Sequence, residues 1–162
     1  MATARLHATC VALRTKQNLW SGILFCGPSG SGKSDLALRC IHELGPERAS
    51  LVADDYVDVC ASGEAVEARS PLKIFGKIEV RGLGILELPA LESVAVSVAF
   101  DLVDTADVPR FPEPRWLDIS NKSGQAKLPL YTLSPFEASA VAKVIMTHET
   151  HIRRTLLNLQ PE

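Results

Sequence analysis

The chain has no uninterrupted apolar run near the roughly 18 residues that a membrane-crossing helix requires, so a bilayer-spanning protein is not expected. It has no internal repeat and no low-complexity tract, which sets aside solenoids and disordered tails. It also lacks an excess of charge. The 17 Lys and Arg stand against 19 Asp and Glu, whereas a dedicated nucleic-acid binder carries a basic surplus. Neither a nucleic acid nor a membrane is therefore an expected partner.

Cysteine is confined to Cys10, Cys26, Cys40 and Cys60, with no C-x-x-C pair and no histidine at zinc-finger spacing. Buried, reduced thiols are the reading that fits. His7 and Thr9 interrupt what would have to be the apolar core of a leader peptide, so no secretory signal is read and a cytoplasmic location is expected. What remains is 162 residues, 46% hydrophobic and 22% charged, close to a globular average. That length suits one domain over 1–162.

Short apolar runs at 6–14 and 22–26 predict strands, the second covered on both faces. Residues 33–44 place Leu36, Ala37, Cys40, Ile41 and Leu44 on one side of a helix that Gly45-Pro46 ends. Further strands are predicted over 50–57, 77–88, 93–103 and 127–133, with a short edge strand at 64–69. Pro109, Pro112 and Pro114 make 104–116 an exposed loop. Ser134, Pro135 and Glu137 form a capping-box pattern for a last helix, with Ala138, Val141, Ala142, Ile145 and Ile152 as its apolar face. His148 and His151 lack a third ligand and read as an exposed polar face; Trp20 and Trp116 read as packing or surface residues. The order of elements implies an α/β fold with a mixed, partly parallel sheet and flanking helices.

Between the second strand and the first helix stands Gly27-Pro28-Ser29-Gly30-Ser31-Gly32-Lys33-Ser34, a full G-x-x-x-x-G-K-[ST] phosphate loop. Its backbone N–H groups can wrap phosphate oxygens only where side chains are absent, and the following helix aims its partially positive N-terminus at the same anion. Lys33 then neutralises the β and γ phosphates while Ser34 ligates Mg²⁺. The same sequence logic calls for an acid at a neighbouring strand end, which Leu51-Val52-Ala53-Asp54-Asp55 supplies. Strand alternation sends adjacent carboxylates to opposite faces, so one can hold metal or orient a partner while the other accepts a proton from an attacking hydroxyl. A third cluster, Glu79-Val80-Arg81-Gly82-Leu83-Gly84-Ile85, puts Glu79 and Arg81 on one face beside two glycines that permit close backbone approach; a strand bent at two glycines explains it about as well.

Taken in order, these three clusters resemble the HPr kinase/phosphorylase family, bacterial enzymes that phosphorylate a serine of the phosphocarrier protein HPr of the phosphotransferase system. The similarity runs from about Leu6 to the last helix and covers only the family's catalytic domain. It implies a P-loop kinase core of the HPr kinase and PEP carboxykinase-like type, ATP and Mg²⁺ as cofactors, and an HPr-like protein as acceptor. It further implies that Gly27 to Ser34 bind the nucleotide, that Asp55 with Asp54 beside it takes the serine proton, and that Glu79 is a second metal-binding acid. Residues 79–88 match the family's signature loop. His7 matches an active-site histidine; Arg110, with Arg115 as the alternative, corresponds to a catalytic arginine. Homohexamers are the family's assembly, so a homo-oligomer is expected.

The resemblance fails in one place. Longer members carry a Pro-Val-Arg-Pro-Gly-Arg-Asn type segment before the last helix, tied to removing phosphate from phosphoserine, where this chain reads Leu128-Pro129-Leu130-Tyr131-Thr132-Leu133-Ser134-Pro135 without either arginine. The reverse, phosphorylase reaction therefore lies outside what the resemblance supports, and a reduced form without the family's N-terminal domain is expected. Two other readings stay open at this stage. One is a small-molecule kinase on a similar loop, and the other a nucleotide-binding regulator without chemistry.

Overall fold

The computed structural model describes residues 3–158, with side chains through Arg154. The chain opens with β1 (Ala4–Arg14) and β2 (Trp20–Cys26), an antiparallel pair in which Ala8 faces Cys26. The phosphate loop leads from β2 into α1 (Lys33–Leu44), which spans the predicted residues and stops at Gly45. β3 (Ala49–Ala53) and β4 (Tyr56–Ser62) follow, β3 lying along Cys10–Leu13 and β4 along Ala4–His7 of β1. The single strand expected over 50–57 is thus two, divided at Asp54-Asp55.

β5 (Ala65–Arg69) pairs with β4 and with β8 (Ser93–Leu102), so it is an interior strand and not the edge its shortness suggested. Between them β6 (Lys77–Val80) and β7 (Gly84–Glu87) form a separate ribbon. β9 (Trp116–Asn121) and β10 (Gly124–Leu133) make a hairpin whose second strand joins β8 in parallel. α2 (Ala140–Asn158) closes the described chain.

β2 and β8 also pair in parallel, so the strand path β2-β1-β4-β5-β8 returns on itself and the sheet closes like a barrel. Closure depends on small residues. One face of the sheet carries Ala8, Cys10, Ala12, Ala53, Ala61, Ala68 and Ala99 among six valines, with longer side chains only at Leu24, Ile119 and Leu128, a set that fits a narrow interior. Gly22 sits where a Cβ would lie 2.6 Å from the Val94 side chain, so the two strands meet there because position 22 has none. The opposite face, with Ile23, Phe25, Leu51, Val98 and Phe100, packs under α1 and α2 through Leu36, Cys40, Val141 and Val144. Cys10, Cys40 and Cys60 are buried and Cys26 is half-buried, none of them in a disulfide, in accord with the sequence.

The capping box is not formed. Ser134 is buried and its hydroxyl bonds Thr105 Oγ1 at 2.9 Å, while Glu137 pairs with Lys143 at 2.5 Å; residues 135–139 make turns before α2 begins. The buried stripe of α2 runs along Ala140, Val141, Val144 and His148, and Ala138 and Ala142 are exposed. His148 and His151 turn inward. His151 Nε2 lies 2.7 Å from the Tyr131 hydroxyl, and His148 is 3% exposed with no partner for Nε2.

Burial pushes the His148 pKa down from 6.5 to about 4, so the folded state holds the ring neutral where the unfolded chain would protonate it. The unfolded state binds the extra proton between those values, and stability contributed by the neutral ring, up to about 3 kcal/mol, falls as pH drops from 6.5 towards 4. Denaturant unfolding across that window is expected to show a shallower pH slope in His148→Leu than in the parent chain. Equal slopes would remove His148 from the acid sensitivity.

Candidate active site

The loop between β2 and α1 adopts the conformations its glycines permit, with φ of +146° at Gly27, +81° at Gly30 and +94° at Gly32. A Cβ on Gly32 would stand 2.9 Å from Phe136 and 3.0 Å from Pro135, so the turn before α2 rests on the loop's last glycine. Arg39 holds that turn in place, bonding the Pro135 carbonyl while pairing with Asp35 at 2.9 Å. Phe136 itself is largely exposed and forms one lip of a cleft of about 320 Å³.

Lys33 is folded back on the loop, its Nζ donating to the carbonyls of Gly27 at 2.8 Å and Pro28 at 2.9 Å. Burial pushes its pKa down, and the nearby Asp55 and Asp54 carboxylates oppose that shift. Carbonyls are weak partners for an ammonium beside a helix N-terminus, so an incoming phosphate can displace them at small cost. Ser31 Oγ is buried within the loop without a partner.

Asp54 and Asp55 divide as their different surroundings require. Asp54 is 4% exposed and accepts from Thr9 Oγ1 at 2.8 Å, Ser34 Oγ at 2.6 Å and the Glu79 backbone N–H at 3.1 Å. One carboxylate thereby ties together β1, α1 and β6. Asp55 points the other way through a tight turn, with φ of +68° and a Tyr56 N–H to Asp54 carbonyl bond of 2.8 Å. A positive φ at a non-glycine residue costs about 1–3 kcal/mol, and such strain concentrates where a side chain must be aimed. Here it aims an exposed carboxylate at His7 Nε2, 2.9 Å away.

The cleft brings together His7, Ser29, Gly30, Gly32, Lys33, Ser34, Asp54, Asp55, Glu79, Val80 and Arg81 from the candidates named by sequence. Glu79 meets Asp54 through its backbone, its own side chain remaining exposed along the cleft. Gly82 and Leu83 form the tip of the β6–β7 ribbon, Gly84 and Ile85 its return strand; Leu83 and Ile85 are exposed. Neither proposed arginine lines the cleft. Arg110 stacks on Phe111, and Arg115 bonds Thr132 Oγ1 at 2.9 Å and reaches Asp101 at 3.5 Å.

Sequence reasoning missed two contributors. Thr9 was legible in principle, since a polar residue two positions after His7 in an apolar strand shares its face. Phe136 gave no signal, because its place on the loop depends on the turn that replaced the predicted helix start.

An oxygen-only donor pair, Ser34 Oγ and Asp54 Oδ1, beside a glycine-lined anion cradle is the chemistry Mg²⁺ with a phosphate chain demands. No group of three His, Cys, Asp or Glu occurs among the described residues, so phosphate oxygens and water would complete the metal's shell. The residues fit a Mg-nucleotide.

The family model for the HPr Serine kinase C-terminal domain matches residues 2–99. An HPr kinase/phosphorylase of Clostridium acetobutylicum is 46% identical over 70 residues, covering 43% of this chain and 22% of that protein. Its counterpart in Cupriavidus necator is 29% identical over 153 residues, covering 88% of this chain and 44% of its own. The chain thus spans less than half the length of these curated relatives. The solved Hpr(Ser) kinase/phosphatase of Coxiella burnetii superposes with a TM-score of 0.63 at 21% identity, covering 98% of this chain and 99% of the other, a likeness of fold. No helix among the described residues is long and apolar enough to cross a membrane.

Proposed function

The chain belongs to the HPr kinase C-terminal-domain family, and we propose that it transfers the γ-phosphoryl group of ATP to a serine hydroxyl of an HPr-like phosphocarrier protein. The observation that supports this best is the division of labour at Asp54-Asp55. A buried carboxylate tied to the loop serine stands beside an exposed one held by histidine.

Gly27 to Ser34 bind the phosphate chain, and Lys33 exchanges its two loop carbonyls for β and γ oxygens. Ser34 Oγ and Asp54 Oδ1 would hold Mg²⁺, which would supply charge neutralisation to the phosphate chain. The Asp55 carboxylate takes the proton from the acceptor serine Oγ as that oxygen bonds to phosphorus and the bond to the ADP oxygen breaks. His7, fixed to Asp55 Oδ1, keeps the base aimed across the cleft. Glu79, exposed on the same wall, would add negative charge near the metal.

Ser34→Ala is expected to raise the Mg²⁺ concentration needed for ATP binding about tenfold, with metal-free nucleotide binding within twofold, as read by titration calorimetry. The proposed activity is tested by supplying labelled Mg-ATP with the source organism's own HPr-like proteins and, separately, a panel of small alcohols. Label on a carrier protein supports the reading. Label only on small molecules would turn it into a metabolite kinase.

A further inference from the structure

A second cavity, of about 390 Å³, lies at the far end of α1 from the phosphate loop and shares no residue with the cleft. Along α1 the cleft is lined as far as Leu38 and the second cavity begins at Leu44, about 9 Å further along the axis. The wall of this cavity is apolar on one side, where Leu44 of α1 meets Ile145 and Ile152 of α2. Its rim is cationic, with Arg14, Lys16, Arg48 and Arg153 against the carboxylates of Glu47 and Glu149.

The charges are incompletely matched. Arg14 reaches Glu47 only at 3.9 Å and lies over the Trp20 ring at 5.0 Å, leaving its buried Nε with no hydrogen-bond partner. His148, 3% exposed and lining the same cavity, has an equally unpartnered Nε2. Buried polar atoms are nearly always paired, so these two orphans beneath one cavity wall mark polar groups that the fold leaves unsatisfied there. Neither takes part in the chemistry proposed for the cleft.

We propose that this cavity is a binding site for a small organic anion, a carboxylate or phosphate head on a compact apolar body. The body fills the space between Leu44, Ile145 and Ile152, and the head meets the four cationic side chains of the rim. The volume falls in the range of small-molecule pockets, and an apolar wall with a few convergent polar groups is their usual composition.

The test uses the full chain with labelled histidine, following the His148 ring resonances by NMR as benzoate or phenyl phosphate is added. Saturable shifts with a Kd below about 1 mM for either probe are expected. Benzyl alcohol, which lacks the charge, and inorganic phosphate, which lacks the apolar body, should bind at least tenfold more weakly. The double substitution Lys16→Ala with Arg153→Ala, both on exposed rim residues, should weaken the better probe at least tenfold while the unfolding midpoint stays unchanged. No saturable shift up to about 10 mM, equal binding of the uncharged or the inorganic probe, or undiminished binding in the double variant would each overturn the proposal.

Discussion

Asp55→Asn is expected to lower phosphoryl transfer about 10²- to 10⁴-fold while ATP affinity stays within about twofold, the range a positioned general base contributes. The substitution is chosen for its local geometry. Asn tolerates the positive φ of +68° that position 55 requires and can keep the hydrogen bond to His7, so the tight turn and the cleft survive. What it loses is the capacity to take a proton. Single-turnover transfer to an HPr-like acceptor, set beside calorimetric ATP binding, separates the two effects. Equal loss of binding and transfer would mean that Asp55 supports the nucleotide instead of the acceptor. Undiminished transfer would place the base elsewhere.

Gly32→Ala is expected to weaken Mg-ATP binding about 10²-fold or more, and by at least tenfold more than Gly30→Ala, corresponding to roughly 3 kcal/mol for the first. Both positions have positive φ, so both alanines carry the same kind of backbone strain, on the order of 1–2 kcal/mol. They differ in surroundings. Nothing lies within 4 Å of a Cβ at position 30, whereas at 32 it would press on Pro135 at 3.0 Å and Phe136 at 2.9 Å. The exposed Phe136 ring can swing aside, but Pro135 is buried and its carbonyl is held by Arg39, so the phosphate loop itself must move. Calorimetric titration of both variants with Mg-ATP checks the difference. Matching affinities would show that the turn before α2 does not constrain the loop.

The legible parts of this fold are those governed by local chemistry. α1 spans its predicted residues because glycines bracket it and its apolar residues recur on one face. The loop from Gly27 to Ser34 was readable from spacing alone, since its glycines fall where the backbone takes a positive φ. The carboxylates at 54 and 55 were placed correctly at a strand end, yet the mechanism that separates them is a left-handed turn, where strand alternation had been the argument.

What stayed hidden depends on distant partners. Nothing in Ala65–Arg69 reveals that β5 would be covered on both edges, and closure of the sheet rests on Gly22 meeting Val94 across 72 positions of sequence. The start of α2 was misread because Ser134 finds Thr105 in space and abandons its role as a cap. His148 lies seven residues after Val141 and four before Ile152, on the apolar face the sequence already showed, and only its polar side chain made it read as exposed. Arg110 and Arg115 were drawn from a proline-rich loop whose course no local rule fixes, and the structure sets both outside the cleft.

The reaction proposed for this cleft moves phosphate from ATP to a protein serine. It is tested most directly by identifying the phosphoamino acid formed on an HPr-like carrier after incubation with labelled ATP and Mg²⁺. Acid-stable phosphoserine is expected, disappearing when Mg²⁺ is withheld and strongly reduced in Asp55→Asn. An unlabelled carrier, or an acid-labile phosphohistidine in place of phosphoserine, would contradict it.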